Sequence, residues 1–369
     1  MGRKAGWFAK FLTANLIACF LFCLVGNFYY YGGQGVNGPI ADETMERSEE
    51  NGRISRLWRY EGHCVGRLDS NGYNNAYYVE RGLDVGDVDV LIMGSSHVEA
   101  FQVPMRSNFT YLLNLKFEND LNRIKFYNCA RSGHWFSINA ARCDDALSLF
   151  KPRRYLALEL WWSVPDLDSI KKTLNDEYEN VRPASPAVRA AIKWIRGLPW
   201  ARSVLLSMRN AGAAGEDKNG NVEGKNADPP EELTSAWRAV LKNIAEISKK
   251  HGVQPIVFFH SRFALGKDGS ISPIWNVAEL AAFREICENE GIVFVDATER
   301  FRVEYEENDV WPYGFYNTNF INGHLNGEGH RVVADVLEET IRRLEAQKEA
   351  ENGENANSGA EESEAKNVL

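Results

Sequence analysis

The sequence predicts an α/β fold, a three-layer α/β/α sandwich around a parallel sheet of about five strands. Short apolar segments alternate with stretches whose apolar residues recur at helical spacing, which is typical of a parallel sheet with helices on both faces. The predicted strands are 88–93, 125–130, 155–161, 255–259 and 292–296. Because ligands of such sheets bind beyond the carboxyl ends of the strands, the residues that follow each strand are site candidates.

The helices are predicted from the same alternation. The clearest is 232–251, in which six large apolar residues recur at intervals of three or four: Leu233, Trp237, Val240, Leu241, Ile244 and Ile247. The other predicted helices are 111–118, 138–150, 277–288 and 329–345.

An apolar segment near the N-terminus predicts a transmembrane helix. Arg3, Lys4 and Lys10 precede the segment 11–31, whose roughly 21 residues at about 1.5 Å each would span a bilayer of about 30 Å. Basic residues before the span and acidic ones after it predict a cytoplasmic N-terminus and an extracytoplasmic main domain, in the periplasm or at the cell surface. A cleaved signal peptide is the alternative, but the apolar sequence continues well past Cys19, which favours an uncleaved anchor.

The composition then divides the rest of the chain. We expect a cytoplasmic stub and anchor over 1–31, a juxtamembrane linker over 32–84, the α/β domain over 85–345, and a disordered acidic tail over 346–369. An insertion over 165–231 interrupts the domain, and its basic amphipathic part (186–209) favours a cap over the site above a membrane-surface helix. The formal net charge of -9, with no basic face, argues against nucleic acid as a partner.

Of the six cysteines, Cys129 and Cys143 would meet if the helix after Gly133 folds back, but buried thiols are an equally good interpretation.

The first candidate for catalysis is the turn Gly94-Ser95-Ser96-His97, directly after the first predicted strand. A strand that stops at a Gly-x-Ser turn and continues into a helix presents a serine hydroxyl beside the first N–H groups of that helix.

Three further blocks follow in order: Asn128 to Gly133 after the second strand, Leu158 to Val164 at the end of the third, and Asn322-Gly-His324 before the last helix. Together with the serine turn, the set resembles the SGNH/GDSL hydrolase superfamily of esterases, lipases and carbohydrate acyl-transferring enzymes. The resemblance covers roughly residues 85–345.

The resemblance implies a role for each matching position. Ser96 takes the place of the nucleophile and His324 that of the general base, while the Gly133 N–H takes an oxyanion-hole position. The family's oxyanion asparagine is Ser163 here, and its histidine-orienting aspartate is Ile321. Asn322, Asp296 or a backbone carbonyl are the candidates for orienting His324 instead.

His97, His134 and His260 also follow predicted strand ends, so we expect them to line the pocket. The histidines lack the close spacing of a helical metal motif, so neither a metal nor a cofactor is predicted. Trp135, Trp161 and Trp162 fit either stacking on sugar rings or burial in the core.

The resemblance implies an extracytoplasmic ester hydrolase or O-acyltransferase that acts on acylated carbohydrate. The altered positions 163 and 321 leave a second hypothesis open, a catalytically degenerate carbohydrate-binding or assembly subunit of a membrane polysaccharide-modifying complex, with a membrane acyl-transfer protein as partner. A hydrogen bond between Ser96 and His324 would favour the enzyme.

Overall fold

The computed structural model describes residues 10, 13–21, 68–120, 123–174, 227–266, 268–315 and 323–366, and only the backbone of 85, 172–174 and 352–366. The chain divides into two compact units, Met1–Asn37 with Asn180–Glu223, and Gly38–Glu179 with Gly224–Leu369.

In the first unit, residues 13–21 are helical and carry exposed Leu16, Ile17, Phe20 and Leu21. Over the described part of the chain, no helix has both the length and the hydropathy needed to cross a membrane. Most of the predicted anchor 11–31 lies outside the described residues, as do Cys64 and the 186–209 part of the insertion.

The second unit is built on a five-stranded sheet in the order β2-β1-β3-β4-β7, with every neighbouring pair parallel. The strands are β1 (Val90–Met93), β2 (Phe126–Asn128), β3 (Tyr155–Trp161), β4 (Gln254–His260) and β7 (Val293–Asp296). The predicted α/β fold with a parallel sheet is therefore confirmed. An antiparallel hairpin of β5 (Phe263–Leu265) and β6 (Ile271–Pro273), which the sequence did not predict, follows β4.

The helices of this unit form two groups, each in contact within itself, as expected for layers on opposite faces of a sheet. One group contains α1 (Ala76–Arg81), α3 (Phe109–Phe117), α9 (Thr298–Asn308) and α10 (Gly327–Lys366). The other contains α4 (Phe136–Ala141), α5 (Cys143–Phe150), α6 (Leu167–Leu174), α7 (Glu231–Lys250) and α8 (Val277–Asn289). The four-residue helix α2 (Ser96–Glu99) follows β1, and two 3-10 turns lie at Val85–Asp87 and Met105–Ser107.

Two predicted helices differ in extent. The stretch predicted as one helix over 138–150 is two, α4 and α5, because Arg142 between them leaves the helical conformation at ψ 4°. The last helix does not end at Glu345 but continues to Lys366, through the segment predicted as disordered. Alanine, glutamate and lysine are good helix formers, so a polar, acidic composition does not by itself end a helix.

The predicted linker 32–84 ends too late, because residues from 68 onward belong to the domain. Tyr73 is fully buried, with its ring edge-on to those of Tyr127 and Phe150. The buried Asp69 carboxylate accepts the Tyr127 hydroxyl at 2.6 Å, and the Asn75 side chain bonds both the N–H and the C=O of Asn128. This segment therefore holds the carboxyl end of β2.

Cys129 and Cys143 are buried thiols rather than a disulfide, and the Cys129 thiol donates to the Ile92 carbonyl. Burial raises the pKa of Cys143 to about 12, so this thiol stays protonated.

Replacement of Tyr73 tests whether this segment is part of the cooperative core. We expect Tyr73→Ala to lower the free energy of unfolding by about 3–5 kcal/mol, since it removes a fully buried ring from between two others. Urea unfolding of the full chain measures this, with the exposed Leu149→Ala as a control expected to stay within about 0.5 kcal/mol. Equal effects of the two variants would show that the segment is peripheral.

Candidate active site

Ser96 is the first residue of α2 and follows β1 after only two residues. Ser95 caps the helix, since its hydroxyl accepts the N–H of His97 at 3.2 Å. Gly94 is required by close packing, because a Cβ there would overlap Val98 and lie 2.7 Å from Glu159 Oε2. The strand, the glycine and the cap together fix the position of the serine hydroxyl.

His324 meets this serine from the far end of the chain. Its Nε2 lies 2.6 Å from Ser96 Oγ, and both residues remain partly exposed. The backbone around the histidine is fixed on both sides, since the Gly314 N–H donates to the His324 carbonyl at 2.8 Å and Leu325 pairs with Tyr313. A serine hydroxyl bonded to an imidazole nitrogen at this distance is the geometry of a nucleophile with its base.

Below the serine lies a buried polar chain formed by Glu159, His260 and Tyr313, which we call the Glu159 network. Glu159 Oε2 accepts the Ser95 N–H at 2.5 Å, while Oε1 lies 2.7 Å from His260 Nε2. His260 Nδ1 lies 2.8 Å from the Tyr313 hydroxyl. The three side chains are almost entirely excluded from solvent.

The direction of these hydrogen bonds follows from the tyrosine. Burial and the negative charge of Glu159 raise the pKa of Tyr313 well above its usual value, so the hydroxyl keeps its proton and donates to His260 Nδ1. Because Nδ1 accepts this hydrogen bond, His260 Nε2 is the nitrogen that donates a hydrogen bond to Glu159 Oε1. The Glu159 network thus connects the turn before Ser96 to Tyr313, whose backbone pairs with Leu325 next to His324.

The roles of Glu159 and Tyr313 were not predicted from the sequence. The available signal was a charged residue inside the apolar strand 155–161, because a carboxylate in a strand covered on both faces needs a buried partner. Nothing in the sequence identified Tyr313.

The turn after β2 is bound to the serine helix through Glu99, a buried residue of α2. The N–H and the hydroxyl of Ser132 both donate to Glu99 Oε2. The turn closes with the His134 N–H on the Arg131 carbonyl, and Gly133 has a φ of +89°, which a side chain would strain. The turn that contains Gly133 is therefore fixed relative to the helix that begins at Ser96.

At the end of β3, Trp162 takes a left-handed conformation with a φ of +66°, which is rare for a residue with a large side chain. The Arg262 guanidinium lies 4.5 Å from the centre of its ring. Ser163, the predicted oxyanion donor, is exposed directly after this turn and lines a cavity of about 290 Å³. Neither Ser96 nor His324 lines that cavity.

The prediction that His97 and His260 line the pocket is wrong, because both are buried. His97 lies beneath the site with its ring 4.7 Å from that of His324, and its Nδ1 accepts the Leu325 N–H at 3.2 Å. Burial, aided by His324 and His260, holds the pKa of His97 well below its usual value, so this imidazole is neutral. His134 is partly exposed in the turn next to Gly133.

Asp296 does not serve as the group that orients His324. Its two carboxylate oxygens bond the Arg284 guanidinium and the Thr298 N–H, which places it at the start of α9. The other candidate, Asn322, lies outside the described residues. In the part of the chain that is described, no group of three or more histidine, cysteine or acidic side chains is placed to hold a metal ion.

No family model and no curated protein matches the chain, but solved structures do. They include a psychrotrophic esterase from Pseudoalteromonas sp. (12% identity, 69% of this chain and 97% of that one, TM-score 0.39). A member of the lipolytic G-D-S-L family from Veillonella parvula matches with 13% identity over 69% of this chain and 98% of that one, at a TM-score of 0.36. A two-domain esterase active on acetylated mannans matches with 11% identity over 74% of this chain and 55% of that one, at a TM-score of 0.40.

These structures are two esterases and a member of the lipolytic G-D-S-L family. Identities near 12% and TM-scores below 0.5 carry no argument about activity, which depends on the geometry of the site itself.

Replacement of Glu159 tests the network. We expect Glu159→Ala to lower the free energy of unfolding by about 3–5 kcal/mol, because it leaves the Ser95 N–H and His260 without their buried partner. Glu159→Gln keeps the shape and should cost less, about 1–3 kcal/mol. Urea unfolding compares both with Glu246→Ala, which removes an exposed carboxylate and should stay within about 0.5 kcal/mol. Similar stability of all three variants would contradict the role of the network.

A pH dependence of stability follows from His330, a buried residue whose Nδ1 faces the Phe109 N–H at 3.4 Å. Burial lowers the pKa of His330 to about 3. In the unfolded chain His330 takes up a proton near pH 6.5, whereas in the folded protein it does so only near pH 3. The contribution of neutral His330 to the free energy of unfolding is therefore fully present above about pH 6.5 and falls as the pH drops toward about 3. One such group contributes a slope of up to about 1.4 kcal/mol per pH unit.

We expect His330→Gln, which can still accept the Phe109 N–H, to lose this part of the slope between about pH 6.5 and 4. Urea unfolding at several pH values measures it, with Leu149→Ala, which removes no titratable group, as the control. An unchanged slope in His330→Gln would mean that His330 titrates normally in the folded protein.

Proposed function

We propose that this chain is an SGNH-type serine ester hydrolase or acyltransferase, with Ser96 as the nucleophile and His324 as the general base. The 2.6 Å contact between Ser96 Oγ and His324 Nε2 carries this proposal, because two residues 228 positions apart meet with the required atoms facing each other. The second hypothesis, a degenerate binding subunit, would have been favoured by side chains that point apart.

In the proposed reaction, Ser96 Oγ attacks the acyl carbon while His324 Nε2 takes the hydroxyl proton. The tetrahedral intermediate collapses to an acyl-serine, and the imidazolium returns the proton to the departing alcohol oxygen. A water molecule then attacks the acyl-serine in hydrolysis, or a sugar hydroxyl in acyl transfer. His324 again takes the proton of the attacking group and gives it to Ser96 Oγ.

The N–H groups of Ser96 and Gly133 are the proposed oxyanion donors, with the Ser163 hydroxyl as a third. The hydrogen bonds from Ser132 to Glu99 support this role of Gly133, because they tie its turn to the helix of the nucleophile. Donors fixed in advance stabilise the oxyanion without reorganisation, and a single one contributes about 100- to 1000-fold in rate.

The fixed backbone on both sides of His324 supports catalysis without the family's aspartate at position 321. The His324 carbonyl and the Leu325 N–H are bonded to Gly314 and to His97, which limits how far the imidazole can turn from Ser96. In the acyl-serine mechanism this restriction substitutes for part of what an orienting carboxylate does.

We further propose acylated carbohydrate as the substrate class, as the family resemblance implies, and an extracytoplasmic location behind an N-terminal membrane anchor. The basic residues before the apolar segment 11–31 support the anchor. A membrane tether would place the site beside cell-surface or exported polysaccharide.

Labelling by a serine-directed fluorophosphonate tests the proposal. The full-length wild type should label, Ser96→Ala should not, and His324→Ala should label at least about 100-fold more slowly because the base is lost. Ser272→Ala, in the exposed hairpin, and His251→Ala are the matched controls and should label like the wild type. A folded wild type that does not label, or a Ser96→Ala variant that does, would refute Ser96 as the activated nucleophile.

A further inference from the structure

A cavity of about 290 Å³ lies at the carboxyl end of β3, and we call it the tryptophan cavity. Its walls are formed by three tryptophans, four other apolar residues and four polar residues. The tryptophans are Trp135, Trp161 and Trp162, and the polar residues are Ser137, Ser163, Asp166 and Ser169. The indoles of Trp135 and Trp161 are stacked at 4.9 Å with 14° between their planes. Trp135 is 53% exposed, which is unusual for so large an apolar side chain and leaves a flat aromatic surface at the mouth.

The rim of the cavity carries exposed polar groups, namely the Ser163 hydroxyl and the Asp166 carboxylate. Asp166 Oδ1 accepts the Ser169 N–H at 2.7 Å, which fixes this carboxylate at the rim. Exposed hydroxyl and carboxylate oxygens beside aromatic rings can bond the hydroxyl groups of a sugar.

The tryptophan cavity adjoins the serine and the histidine through shared side chains. The Trp161 ring packs 4.7 Å from that of His97, which in turn lies 4.7 Å from His324. Trp162 is held in its left-handed conformation beside Arg262, and such backbone strain persists only where the surroundings enforce it. The cavity is therefore connected to His324, whose Nε2 bonds Ser96, through two successive ring contacts.

We propose that the tryptophan cavity binds a neutral pyranose unit of the carbohydrate whose ester is cleaved at Ser96. The ring stacks on the exposed face of Trp135, and its hydroxyls bond the Asp166 carboxylate at the rim. This inference rests on the proposed function, but the binding itself does not need catalysis.

The chemistry of the walls selects this occupant over two others. An acyl chain would be matched by apolar walls throughout, whereas the tryptophan cavity presents serine hydroxyls and a carboxylate. An anionic saccharide would be repelled by Asp166, which is exposed at the rim. Flat aromatic faces combined with a few placed polar groups are what a neutral sugar requires.

Isothermal titration of the full-length protein tests the proposal with four probes: mannotetraose, cellotetraose, trigalacturonate and octanoate. We expect at least one neutral tetraose to bind and Trp135→Ala to weaken it about tenfold, because the stacking face is lost. Asp166→Asn, which can still accept the Ser169 N–H, should weaken it several-fold because a charge-assisted hydrogen bond to the sugar becomes a neutral one. Leu149→Ala, an exposed apolar residue of α5, is the control and should bind like the wild type.

The proposal is overturned if neither neutral tetraose binds at about 10 mM, or if binding is unchanged in Trp135→Ala. It is also overturned if octanoate or trigalacturonate binds in a manner that depends on Trp135 while the neutral tetraoses do not. Near-UV circular dichroism confirms that each variant is folded. Because Ser96→Ala should still bind the sugar, a failure of labelling at Ser96 is distinguishable from a failure of this proposal.

Discussion

The buried carboxylate of Glu159 is the constraint on which the rest of the site depends. A charge inside a parallel sheet is costly unless every lone pair finds a donor, and here the donors are the Ser95 N–H and His260. Satisfying the carboxylate fixes the turn before Ser96 at a distance that leaves no room for a Cβ at Gly94. The position of the nucleophile is thus a consequence of satisfying the hydrogen-bonding needs of buried Glu159.

The Glu159 network also positions the backbone next to His324, the proposed base. Tyr313 donates to His260 and pairs through its backbone with Leu325, the neighbour of His324. The two proposed catalytic residues are therefore held by one chain of hydrogen bonds below the site and meet above it. Such a site is organised before substrate arrives, which is the condition under which fixed dipoles act most strongly on a developing charge. Glu99 extends the arrangement to the turn of Gly133.

The third sequence block differs from that of the family at two positions next to the site. Where the family has glycine and asparagine, this chain has Trp161 and Ser163, and the strained Trp162 lies between them. These changes bring indole rings to the strand end next to the serine and build one wall of the tryptophan cavity. In the structure these altered positions line a cavity that we propose binds the substrate.

The sequence by itself determined the alternation of strands and helices, the parallel sheet and the candidate Ser96, because hydrophobic periodicity and a strand-turn-helix motif are local properties. His324 became a candidate through the family resemblance of the block around it. Local patterns also misled: the helix does not stop at Glu345, and the domain begins before residue 85.

Only the tertiary structure decided which polar residues serve the site. His97 and His260 follow strand ends as predicted, yet lie buried, since burial depends on what packs above the strand end. Asp296 turned toward Arg284 rather than His324. The partners of Glu159 come from residues more than sixty and one hundred positions away, and no local pattern encodes a contact of that range.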